Sequence, residues 1–274
     1  MSRRSRLLLL IMFLVSACAP ATGQYTELKP RVVDPGNASL FILQVDNGEV
    51  TLSTSESGFL ELDSQVLFPD KLEYQVNTTE EQITVIIFSH DNNSKTPPLR
   101  LVVRVPPQLQ ASIETDRASV TIRNYQGELE AASTSGNITA ERIAGIFILR
   151  SNRGNITLRE SAGKVNAVGN YGALTFQDTS GETSASTIMG NVLYEGLIQA
   201  DDTVRLETDH GSVSVKLSAD SALTLQVRSA TGDVACMLPG IDSTTRTCDG
   251  TIASGGGSLS VRTVSGAVTL QLLP

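Results

Sequence analysis

The 274-residue chain has no tryptophan, only seven phenylalanines and five tyrosines, three cysteines and two histidines. So few aromatics do not advertise a sugar-stacking platform. Long apolar runs are also missing. Leu7–Val15 is nine residues, too short to span a bilayer. Cationic excess is lacking: 21 Lys and Arg face 29 Asp and Glu, a formal charge of −8, which argues against nucleic acid or an anionic lipid surface as a partner. No phosphate loop, Ser-His-Asp set or nucleotide fingerprint occurs.

What the chain does have is a run of glycines nine residues apart: Gly127, Gly136, Gly145, Gly154, Gly163, Gly172, Gly181 and Gly190. The second and fourth residues after each are mostly apolar: Leu129/Ala131, Ile138/Ala140, Phe147/Leu149, Ile156/Leu158, Val165/Ala167, Leu174/Phe176, Thr183/Ala185 and Val192/Tyr194. Alternation puts each pair on one face of a short strand, and glycine supplies the positive φ of a tight corner. Such a period marks a stacked repeat. Units at Gly136, Gly154 and Gly190 open with Asn137, Asn155 and Asn191, whereas Ala173 breaks that series and the alternate units open with Glu128, Ile146, Lys164 and Glu182. The true period is therefore eighteen. The fold class is all-β, a flattened parallel β-solenoid with two strands per coil; a three-sided helix with 27-residue coils is the alternative. Stacked asparagine amides are expected to bond to one another along the axis.

In chain order, Arg3, Arg4 and Arg6 precede the apolar Leu7–Val15 as in an export signal. Val15-Ser16-Ala17-Cys18 resembles the bacterial lipobox, in which the cysteine is lipidated and becomes the mature N-terminus; a plain secretory peptide cut near Ala17 is the alternative. Ala19 after Cys18 resembles outer-membrane sorting in a two-membrane cell. Removing residues 1–17 takes three arginines away and leaves −11. Residues 18–39 read as a tether. Residues 40–107 read as an N-terminal β cap and first strands, with Ile83–Phe88 and Leu99–Val105 as a hairpin around a polar link. Residues 108–274 read as the repeat domain, about nine layers or ~40 Å long. Three extra residues bulge near Gly196–Ala200. Cys236 and Cys248 remain once Cys18 is lipidated, and in an exported chain they are expected to form a disulfide.

Parallel β-helices include polysaccharide-cleaving enzymes, which gather acids beneath long loops, but eight successive units here lack insertions. The best chemical group is Asp201, Asp202, Asp209 and His210 beside the bulge, and solvated corner residues are the better reading of it. His90 beside Asp91 reads as hydrated loop. The repeat lacks the aspartates of calcium-binding nonapeptides, so no metal, cofactor or catalytic residue is expected.

The layout resembles a bacterial family of exported β-strand-repeat proteins usually called "putative adhesins". The matching pieces are Leu99–Pro107, Thr134-Ser135-Gly136-Asn137-Ile138, Asn152-Arg153-Gly154-Asn155-Ile156, Ala230-Thr231-Gly232-Asp233-Val234 and Val264-Ser265-Gly266-Ala267-Val268. The resemblance implies a non-enzymatic, lipid-anchored surface protein that presents a rigid solenoid face for adhesion or envelope scaffolding. On that reading it is expected at the cell or outer membrane through its N-terminal lipid, with a surface glycan or protein as the expected ligand. The other readings are a polysaccharide-acting β-helix enzyme and an envelope sensor or regulatory partner domain.

Overall fold

The structure, a computed structural model, describes residues 24–89 and 98–273; the export signal, Cys18 and His90 lie outside them. Among the described residues every regular element is a strand except the 3-10 turn Pro69–Lys71. Four long strands, Ser119–Ser133, Ile138–Ser151, Ile156–Gly169 and Leu174–Thr187, form the middle. Each runs along a front sheet, turns a corner and returns along a back sheet. Their parallel register advances by eighteen: Val120 lies beside Ile138, Ile138 beside Ile156, and Ile156 beside Leu174. Ile138 therefore shares a column with Ile156 and not with Val165, which makes the coil two-sided and removes the three-sided alternative.

Inward residues from the two sheets meet in one core. All sixteen positions paired behind the glycines are buried, from Leu129/Ala131 to Val192/Tyr194. The two sheets share one buried cluster, a core one side chain deep per sheet; each large apolar side chain removed from water contributes ~1.5–3 kcal/mol.

The two corners are built differently. At one, Asn124, Arg142, Glu160 and Asp178 take φ of 50–53°, and Gly127, Gly145, Gly163 and Gly181 take φ of 94–137°. The expected positive φ is found there. At the other corner Gly136, Gly154, Gly172 and Gly190 have no positive φ, and the expectation fails for them. Their reason is close approach: a Cβ on Gly154 would lie 2.0 Å from the Gly136 carbonyl oxygen, and one on Gly172 would lie 2.0 Å from that of Gly154. Backbone stacks directly on backbone there, and no side chain fits between.

A column of buried hydroxyls lies inside this glycine corner. Ser151 Oγ accepts the Gly154 N–H (2.9 Å) and donates to the Gly136 carbonyl (3.1 Å). Ser133 Oγ accepts from Gly136, Ser229 Oγ accepts from Gly232, and Thr208 Oγ1 donates to the Gly190 carbonyl. These bonds satisfy backbone groups that water cannot reach.

The ends depart from simple succession. Leu40–Val45 and Glu49–Thr54 make one coil, and Gln82–Ser89 with Leu99–Val105 make another. The earlier coil lies inside: Leu40–Val45 pairs with both Gln82–Ser89 and Gln110–Thr115, and Glu49–Thr54 pairs with both Leu99–Val105 and Ser119–Ile122. The other end mirrors this. Gly257–Ser265 and Val268–Leu272 are inserted between the coil of Thr203–His210 and Val213–Leu217 and the coil of Leu223–Ser229 and Val234–Met237. From Gln110 onward the stack holds eight coils where about nine were expected, because residues 241–255 form an antiparallel cap in place of a coil.

Two further expectations are corrected. Gln82–Ser89 and Leu99–Val105 are not a hairpin: they lie on the back and front sheets of one coil. The antiparallel neighbour of Gln82–Ser89 is Leu72–Thr78, joined through the short link 79–81. Part of the expected tether is docked, since Thr26–Glu27 and Arg31–Val33 pair with Leu60–Val66 and cover that edge. Cys236 on the last front strand is bonded to Cys248 on the Thr247–Ile252 strand of the back sheet, twelve residues on. The disulfide thus ties the two sheets together at their open end.

Candidate functional site

The structure separates the best chemical group of the sequence. Asp202 precedes the Thr203–His210 strand and His210 ends it, so Asp202 and Asp209 sit at opposite corners, ~23 Å apart along an extended strand. Asp202 is buried, and both its oxygens are used: Oδ1 accepts the Gly181 N–H (2.5 Å) and Oδ2 the Gln199 N–H (2.7 Å). It clamps the corner at which residues 197–202 bulge. His210 Nδ1 pairs with Ser265 Oγ at 2.6 Å on the next coil. Among the described residues no three His, Cys, Asp or Glu gather in a metal-binding arrangement.

The bulge has a packing role. Ile198 is buried, its N–H donates to Ser221 Oγ and its carbonyl accepts the Ala222 N–H. The enlarged corner thus receives the chain where the inserted C-terminal coil crosses it.

The asparagine ladder exists in altered form. Asn137 Oδ1 accepts the backbone N–H of Asn155, Asn155 Oδ1 that of Ala173, and Asn191 Oδ1 that of Ser212, each at 2.9 Å. The expected amide-to-amide bond occurs instead three residues earlier, from Asn170 Nδ2 to Asn152 Oδ1 at 2.8 Å. A main-chain N–H at a coil entrance needs an acceptor, and the amide oxygen of the neighbouring coil is the nearest one.

Buried tyrosines mark the other corner. Tyr125 packs edge-on against Phe147 with ring centroids 6.1 Å apart, and burial pushes its phenol up from the usual value. Tyr194 is fully buried and donates to the Thr179 carbonyl (3.3 Å). Burial pushes its phenol up to about 12; the hydrogen bond opposes this, and the charges of Asp202 and Asp178 add to it. In the same column the Ser161 and Thr179 hydroxyls have no partner. These groups lie inside the coil, away from its outward faces.

The outward surfaces are flat. On the front sheet Thr51, Thr121, Thr139, Thr157 and Thr175 line up on successive strands, beside a row in which Arg123 meets Glu141 and Lys216 meets Glu195. At the N-terminal end Arg104 bonds Asp63 (2.8 Å) and Glu61 (3.2 Å); these bonds, led by that to Asp63, raise its pKa and pin the antiparallel Leu60–Val66 strand. The back sheet carries a depression of about 590 Å³ lined by residues including Asp116, Arg150, Asn152 and the half-exposed Phe88.

Against known families, a model described as Toastrack DUF4097 matches residues 32–271, most of the chain. The chain belongs to the Toastrack family. Among solved structures, this Toastrack chain is similar to a "putative cell adhesion protein" from Clostridium sporogenes, at 10% identity and a TM-score of 0.31 over 91% of this chain and 100% of that one. It is also similar to a "putative adhesin" from Bacteroides fragilis, at 13% identity and a TM-score of 0.42 over 92% of this chain and 99% of that one. No curated protein matches it. The Toastrack match crosses residue 107 without a break, as the stack does.

Sequence reading missed the hydroxyl column, although its signal is plain in retrospect. Ser133, Ser151, Thr187, Thr208, Ser229 and Thr263 each stand three residues before a corner glycine. Ser/Thr-x-x-Gly is the local signature of this Toastrack corner.

Proposed function

We propose that the chain is a non-enzymatic, exported surface protein, lipid-anchored through Cys18, that presents the flat faces of its solenoid for adhesion or envelope scaffolding. The observation that carries this reading is the uninterrupted coil. Four successive long strands stack in a constant register without an insertion, so their outward faces form a continuous, regular surface with nothing built over it. The acids and histidine nearest the bulge are held apart or spent on backbone N–H groups, which supports a role in presentation over one in bond cleavage. The disulfide supports an oxidising compartment. The lipid anchor rests on the Val15–Cys18 motif.

The test is made in cells. Wild-type protein is expected to take up radiolabelled fatty acid, fractionate with membranes and be labelled by an impermeant reagent on intact cells. Cys18→Ser is expected to lose the acyl label and the membrane association. Membrane retention by Cys18→Ser, together with an unlabelled wild type, would overturn the anchor. A wild-type protein inaccessible from outside intact cells would overturn surface presentation.

A further inference from the structure

We infer that an arginine-lined groove at the C-terminal end of the back sheet binds an anionic glycan through its carboxylate groups. This rests on the reading above, a domain that offers its faces to other molecules. The groove, about 520 Å³, crosses four strands and is lined by Arg205, Arg228, Arg246 and Arg262. These residues are far apart in the chain. The inserted coil brings Arg262 directly beside Arg228 on one side and Glu207 on the other, and it places Ser260 between Arg205 and Gln226.

Elsewhere most arginines are isolated from one another: Arg100, Arg104, Arg123, Arg142 and Arg150 each meet a carboxylate on a neighbouring residue or strand, and Arg153 and Arg159 bond Ser135 and Gln177. In the groove four arginines meet two acids. Arg205 is held by Glu207 (2.8 Å), Arg228 reaches Asp249 at 3.5 Å, and Arg246 donates to the Ala230 carbonyl (2.7 Å). Arg262 is exposed and has no ion pair among the described residues. A local surplus of two positive charges stands out on a chain of net charge −8 and attracts an anion.

The choice of residue points to the chemistry. All four cations are arginine, whose planar fork matches a carboxylate or similar oxyanion with two parallel bonds. Arg228 and Arg262 on adjacent strands, with backbones ~4.8 Å apart, can grip one such group between them. Gln226 and Ser260 in the neighbouring row supply partners for sugar hydroxyls. No aromatic lines the groove to stack a base. A uronate chain, with one carboxylate per sugar and hydroxyls between, matches both the arginine pair and its polar neighbours.

The purified full chain, in detergent, is tested against immobilised polygalacturonate at about 50 mM salt, where screening is weak. The same polymer with its carboxylates methyl-esterified serves as the uncharged control, and dextran sulfate asks whether any oxyanion-bearing glycan suffices. Wild-type protein is expected to bind the free-acid polymer, with affinity falling as salt rises, and to ignore the ester. Tighter binding to polygalacturonate than to dextran sulfate supports carboxylate recognition; tighter binding to dextran sulfate overturns it. Arg228→Ala with Arg262→Ala is expected to weaken binding at least about tenfold, and the double lysine variant less. Both sites are exposed, so an unchanged melting temperature is expected to accompany the loss. Arg123→Ala with Arg159→Ala on the front sheet is expected to change nothing. Equal binding of the ester, equal loss in the front-sheet variant, or no binding at low salt would overturn the inference. Because binding is read on purified protein, such a failure leaves the cell-surface experiments to decide the broader reading.

Discussion

Gly154→Ala is the sharpest probe of how the coils are joined. The new methyl group would sit 2.0 Å from the Gly136 carbonyl oxygen and 2.6 Å or less from no other partner than the same carbonyl group, whose carbon is at 2.5 Å. Backbone cannot swing aside as a side chain can, so the corner must open by more than ~1 Å to restore an ordinary contact. Three bonds hold it closed: Gly154 N–H to Ser151 Oγ, Asn155 N–H to Asn137 Oδ1, and Ile138 N–H to the Asn155 carbonyl, each 2.9 Å. Breaking two of them and stranding the buried groups costs ~3–5 kcal/mol. That is a fall of roughly 6–20 °C in melting temperature for a domain of this size. Gly58→Ala is the control. Gly58 has φ +79° with open space around it, so alanine there meets only the left-handed penalty of ~1–2 kcal/mol. Urea melts followed by far-ultraviolet circular dichroism measure both, and hydrogen exchange in residues 136–141 reports whether the neighbouring coil loosens. A Gly154→Ala protein no less stable than Gly58→Ala would refute the close-approach account of this corner.

Ile156→Asp places a carboxylate in the core column between Ile138 and Leu174 and is expected to cost several kcal/mol, whereas Thr157→Asp on the outer face is expected to be nearly neutral; equal melts would mean the inward and outward faces are misassigned. Ala173→Asn restores the interrupted ladder by offering an amide oxygen to the Asn191 N–H, so a gain of ~0.5–1 kcal/mol is expected in a urea melt. Tyr194 holds its proton up to about pH 12 in the folded chain against a usual value of 10.0, so the unfolded chain loses that proton first as pH rises. Its contribution is complete below pH 10 and falls by roughly 3 kcal/mol toward pH 12. Tyr194→Phe is expected to flatten the alkaline decline in stability, and an unchanged slope would count against it.

The coil was legible because its two signals, glycine every nine residues and apolar pairs behind them, are local and repeat. Sixteen buried positions follow from that pattern alone. The cause of each glycine was only half legible. Both glycine sets look alike in the sequence, and Gly145, Gly163 and Gly181 as well as Gly154, Gly172 and Gly190 press on the carbonyl of the coil beneath, a contact eighteen residues away; only the first set also needs a positive φ. Chain order at the ends was not legible. Val268 follows the same rule as Val213 and Val234, and nothing local tells that its strand lies between theirs. The hairpin expected for Ile83–Phe88 and Leu99–Val105 failed for a related reason: alternation shows that a strand has an inner face but not which sheet it joins. The arginine groove was hidden too, since Arg205, Arg228 and Arg262 share no period and meet only through the inserted coil.

That inserted arrangement divides the molecule into parts with different freedoms. Each end is an interleaved group of strands: at the N-terminal end an early segment is gripped by later ones, and at the C-terminal end the last segment is gripped by earlier ones, so a cut or graft there disturbs three layers at once. The four long strands between them follow one another in order, and each needs only the coil before and the coil after. Duplicating or deleting eighteen residues in this stretch leaves both end groups untouched and changes the distance between them by one strand spacing, ~4.8 Å. The middle of the chain is therefore a ruler graduated in single coils, and the span from the docked N-terminal strands to the arginine groove is a length that can be reset one unit at a time.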